Sequence, residues 1–63
     1  MTVGAFNLSY DDDDCIFVFY VKGLIEPYKR EDIPAEYFDL DVVSITIVPE
    51  TKDSKTCVFM HVA

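Results

Sequence analysis

The sequence predicts a small α+β domain: a four-stranded antiparallel sheet in the order β-β-α-β-β, with one short helix. Three observations lead there. Four segments alternate or run apolar and are rich in β-branched and aromatic residues. One segment between the second and third of them repeats its apolar residues at helical spacing. The chain has 63 residues, half of them apolar, which fits one domain over 1–63.

Residues 2–10 read as the first strand. Phe6, Leu8 and Tyr10 fall on one face, with Ala5, Asn7 and Ser9 on the other. Asp11, Asp12, Asp13 and Asp14 follow as a turn, because aspartate is poor in strands and bonds readily to its own backbone. Residues 15–22 are the second strand. Ile16, Val18 and Tyr20 are apolar on one side, Phe17, Phe19 and Val21 on the other. A strand apolar on both faces belongs in the middle of a sheet. Gly23 ends it. Residues 24–30 read as irregular, since Pro27 rules out a central strand.

Residues 31–40 read as the helix, about two turns long, with Asp32 as N-cap and Pro34 in the first turn. Ile33, Tyr37 and Leu40 recur on one side of it. Residues 41–48 are the third strand, with Val43, Ile45 and Ile47 on one face. A polar turn over 49–55 leads to the fourth strand, 56–62, where Val58, Met60 and Val62 oppose Cys57, Phe59 and His61. A helix this short cannot cover such a sheet. The second strand is apolar on both sides and the fourth nearly so, which predicts that a second copy or a partner protein covers the far face.

Composition narrows the function. Twelve acids against five bases give a net charge of −7. Direct nucleic-acid binding and anionic membranes are disfavoured, since both need a basic footprint. No apolar run approaches the roughly 20 residues of a membrane span. The first residues carry no basic n-region, so no signal peptide is expected, and the chain is expected to stay in the host cytosol. There the thiols Cys15 and Cys57 would normally remain reduced.

Catalytic and metal motifs are not in view. An EF-hand loop starting at Asp11 needs glycine at its sixth position and glutamate at its twelfth, where Ile16 and Lys22 stand. One histidine and no C-x-x-C pair fit no zinc pattern. His61 and Cys57 are four residues apart, about 13 Å along a strand, too far for a catalytic pair. No enzyme activity, cofactor or metal is therefore expected.

The acids themselves are the candidate surface. After the 11–14 run come Glu31, Asp32, Glu36, Asp39 and Asp41, with no base among 31–41, and then Glu50 and Asp53. Same-side carboxylates on extended backbone stand about 6.6 Å apart, of the order of phosphate spacing along nucleic acid. Tyr28, in a proline-containing loop, is a candidate anchor, because tyrosine is enriched at interfaces. The expected partner-binding set is Asp11, Asp12, Asp13, Asp14, Glu31, Asp32, Glu36, Asp39, Asp41 and Tyr28.

In length, strand content and these two acidic clusters, the chain resembles the small acidic inhibitors that phages and plasmids encode, anti-CRISPR proteins among them. The resemblance implies a non-enzymatic inhibitor that presents carboxylates to the basic nucleic-acid site of a larger complex. The alternative is a small antitoxin-like homodimer whose acids only keep it soluble.

Overall fold

The computed structural model describes residues 1–12 and 14–63, so Asp13 of the candidate set lies outside the described residues. The elements are a helix α1 (Val3–Ser9), strands β1 (Cys15–Val21) and β2 (Leu24–Lys29), two 3₁₀ turns (Arg30–Asp32 and Ala35–Asp39), and strands β3 (Val42–Val48) and β4 (Thr56–Val62).

The α+β class and the four-stranded sheet agree with the sequence, but the order of elements does not. The predicted first strand is the helix α1. The threonine Oγ of Thr2 accepts from the Ala5 amide at 3.2 Å and caps the first turn. Val3, Phe6 and Tyr10 then recur at helical spacing and pack on the core, while Leu8 is 88% exposed. The same residues satisfy a period of two and a period of 3.6, so alternation alone could not choose. The cap and the burial of Val3 decide it. Gly4 lets the helix lie close to the second 3₁₀ turn: a Cβ there would sit 3.2 Å from the carbonyl oxygen of Phe38.

The second correction is to the sheet. Its order is β2-β1-β4-β3, and it is mixed rather than antiparallel. β1–β2 and β3–β4 are antiparallel hairpins, but β1 and β4 run parallel, with Phe17 beside Val58 and Phe19 beside Met60. These two strands carry seven of the nine buried apolar residues found among the described residues, and placing them together in the middle shields both. A parallel pair requires a crossover. Residues 30–41 provide it, travelling back along one face of the sheet between β2 and β3.

That crossover also replaces the predicted helix. Pro34 separates two 3₁₀ turns, and neither has a side-chain cap. Asp32 is the last residue of the first turn rather than an N-cap. Residues 24–30 are not irregular, since β2 forms there as an edge strand. Proline is tolerated at an edge and not in the centre. β1 and β2 join through Lys22 and Gly23, both at positive φ (50° and 81°), the two-residue loop whose twist matches a hairpin.

One face of the sheet carries the core. Phe17, Phe19, Val58 and Met60 are fully buried there with Val3 of α1, and Cys15, Ile33 and Val62 complete the cluster. α1 and the crossover cover it. A bulge between Val42 and Ser44 breaks the expected alternation of β3: Val42 packs on the core and Val43 turns out, 68% exposed.

The termini meet at Asp41. Its amide donates to the Ala63 carbonyl and its carbonyl accepts from the Ala63 amide, both at 3.0 Å. Beside it the Val42 amide donates to the Met1 carbonyl at 2.8 Å.

Candidate functional site: an acidic end of the sheet

The parallel pairing of β1 and β4 fixes where the acids go. Cys15 stands beside Thr56, so the loop entering β1 and the turn entering β4 leave the same end of the sheet. β2 finishes at that end too, with Lys29 opposite Ile16, and so does β3, with Val48 opposite Cys57. The Asp11–Asp12–Asp14 loop, the first 3₁₀ turn and the 49–55 turn therefore cluster together. Asp11, Asp12, Asp14, Glu31, Asp32, Glu50 and Asp53 all belong to this end.

The loop is held by its own backbone bonds. Asp12 Oδ1 accepts from the Asp14 amide at 3.0 Å, an Asx-type turn. The Cys15 thiol donates to the Asp12 carbonyl at 3.2 Å. The Arg30 guanidinium donates to the Tyr10 carbonyl and lies over the Tyr10 and Phe17 rings, 5.8 and 5.9 Å from their centroids. Arg30 thus ties the acidic loop to the core. Burial, and then the nearby Cys15 and Asp12, hold the Tyr10 hydroxyl above its ordinary pKa, while Arg30 pulls the other way.

Bases are interleaved with these acids, which the acidic clusters in the sequence did not suggest. Lys29, Arg30, Lys52 and Lys55 share the end, so its seven described acids against four bases leave a net charge of −3. Lys55 Nζ pairs with Asp14 Oδ1 at 2.8 Å. That hydrogen bond, the charge of Asp14 and the field of Glu31 raise the lysine pKa. Both partners are exposed, so the pair adds little stability.

The remaining candidates are elsewhere. Glu36 lies in the crossover over the covered face. Asp39 and Asp41 lie at the other end, where β3 begins and β4 finishes. None of the eight described candidate acids lies on a strand, so these eight form no evenly spaced row of carboxylates on extended backbone.

Tyr28 is on β2, not in a loop, and its hydroxyl is engaged. It donates to Glu26 Oε2 at 2.9 Å, and Tyr37 donates to the same oxygen. Tyr28 and Tyr37 meet edge to face at 5.8 Å, and Tyr37 meets Phe19 at 5.1 Å. The two phenols, Tyr37 first, hold the Glu26 carboxyl below its ordinary range, and the carboxylate raises both tyrosines in turn. Glu26 thereby pins the crossover to the edge of the sheet. Sequence reading passed it over because Pro27 hid the strand. With β2 recognised, Glu26 and Tyr28 are same-face neighbours two residues apart.

Among the described residues no three His, Cys, Asp or Glu side chains converge as a metal site requires. Nor is any helix among them long and apolar enough to cross a membrane. No protein-family model, curated protein or solved structure matches the chain.

Proposed function

We propose that the chain is a non-enzymatic acidic binding protein that occupies the basic nucleic-acid-binding site of a larger complex and inhibits it, in the manner of anti-CRISPR proteins. The observation that carries the reading is the convergence of Asp11, Asp12, Asp14, Glu31, Asp32, Glu50 and Asp53 from three separate segments at one end of the sheet. All of these side chains are exposed except Asp12, which is half-buried. A basic groove built for phosphates attracts such an end and steers it in quickly at low salt. The interleaved lysines sit where they can contact phosphates or acidic residues bordering that groove. Asp39 and Asp41, at the far end, are not contacts in this reading.

The test is capture of partners from host cytosol at low and high salt, with the native chain and with Asp11, Asp12, Asp13 and Asp14 changed together to asparagine. The expected result is a nucleic-acid-handling partner that is released by salt and by added duplex DNA, and that the variant fails to hold. Capture indifferent to salt and to the four substitutions would overturn the proposal.

A further inference from the structure

The second face of the sheet is open. Ile16, Val18 and Tyr20 of β1 and Cys57, Phe59 and His61 of β4 point away from the core. The strands beside them add Ile25, Pro27 and Lys29 on one flank and Ser44, Thr46 and Val48 on the other. Among the described residues, α1 and the crossover pack on the opposite, core face. Ile25 is 63% exposed and Val48 44%. Tyr20 stacks on Phe59 at 6.3 Å and meets His61 edge to face at 4.9 Å, so the middle of the face is one aromatic cluster.

This face has a second property. The chain has twelve acids, yet no strand position on this face holds one. Glu26, among the described residues the only acid within a strand, points to the covered side with its tyrosines. The basic side chains on the open face are Lys29 and His61. Asp32 lies at the rim, beside Lys29, in a shallow depression lined by Ile16, Pro27 and Tyr28.

From these observations we infer that the open face is a self-association surface, covered by the same face of a second copy in a two-fold, sheet-on-sheet dimer. Charge selects the occupant. Two molecules of net charge −7 repel through any acid-bearing surface, and this acid-free face lets them approach most closely. A basic partner has no carboxylate to meet there, except at the Asp32 rim. Area fits a reversible contact. Strands about 4.8 Å apart and six or seven residues long, at about 3.3 Å per residue, make a face of roughly 19 by 23 Å. Two such faces give about 900 Å² in projection, which side-chain relief raises toward the roughly 1,200 Å² where weak interfaces pass into standard ones.

Size points the same way. The buried core is nearly all on the other face, and a chain this short has a thin core to rely on. Val18 is already buried among its strand neighbours, and sheets facing each other at about 10 Å would bury Tyr20 and Phe59 of both copies at the centre. The acidic ends would remain outside the contact, so the dimer is compatible with the proposed function without depending on it.

The experiment is sedimentation equilibrium across the micromolar range, on the native chain and on Tyr20→Glu, Phe59→Glu and Leu8→Glu. Circular dichroism and amide NMR of each variant report whether its fold is retained. The native chain is expected at twice its 7.2 kDa mass. Tyr20→Glu and Phe59→Glu each bury an uncompensated charge in the contact, and should weaken association at least about 100-fold while keeping the monomer fold. Leu8→Glu, on the outer side of α1, should leave it unchanged. A native chain that stays monomeric to high micromolar concentration overturns the inference, whatever the variants do. So does dimerisation that survives both open-face substitutions, which would place the contact elsewhere, such as the β3 edge.

Discussion

At the scale of single residues, burial and hydrogen bonding give two clear expectations. Cys15 and Cys57 belong to adjacent strands but project to opposite faces, Cys15 into the core and Cys57 onto the open side. They cannot bridge without breaking the sheet. In the Tyr20→Glu protein, whose open face is left uncovered, an aromatic disulfide reagent should label Cys57 readily and Cys15 only on unfolding. Equal rates for the two thiols would contradict the placement. The second expectation concerns Glu26. Its folded pKa is depressed, so its contribution is present above the unfolded carboxylate value of 4.5 and is lost as pH falls through the lower folded value. The tyrosines carry the opposite sign: their raised values give stability below pH 10.0 that is lost as the phenols ionise above it. Thermal melting of Glu26→Gln against the native chain should show a smaller loss below pH 4.5, and its tyrosinate absorbance should develop at lower pH. Neither residue cluster was legible in the sequence. Cysteine spacing does not say which face a thiol takes until the strand register is known, and Glu26 was hidden by the proline that follows it.

At the scale of elements, the loop between β1 and β2 is where the backbone is most demanding. Lys22 and Gly23 both adopt positive φ, and asparagine fits the first of these positions better than lysine. Gly23→Ala should cost about 1 kcal/mol through strain alone, because open space surrounds the added methyl. Lys22→Asn should add a few tenths of a kcal/mol. The N-cap of α1 offers a separate check, since Thr2→Ala should cost about 1 kcal/mol in chemical denaturation. Three of the four sheet segments, β1, β3 and β4, were legible almost to the residue, because long apolar or alternating runs between turn signals have few other uses. α1 was not legible as a helix. Seven residues offer too few repeats to separate a period of two from 3.6, and the capping threonine was the signal available. The crossover was half-legible: Ile33, Tyr37 and Leu40 do face the core, but Pro34 breaks the stretch into two 3₁₀ turns.

At the scale of the whole molecule, net charge and a one-sided core set the behaviour. A −7 chain of this size repels itself, so added salt should raise its melting temperature until the charges are screened at about a 10 Å Debye length, near 0.1 M. Asp14→Asn should change stability by less than about 0.5 kcal/mol, because it removes both an exposed ion pair and one negative charge from a crowded end.

The sequence by itself determined the identity of the apolar strands, the two-sided character of β1 and β4, the shortage of cover on one side, and the excess of acids over bases. These follow from local composition and period, which hold wherever a strand ends up. Tertiary structure alone decided that β1 and β4 lie side by side and parallel. That one pairing brings Asp11, Asp12 and Asp14 and the 49–55 turn to the same end and sends the crossover over the core face. Strand adjacency is a non-local choice, made by which arrangement hides the most apolar surface at once. No period within a single segment encodes it.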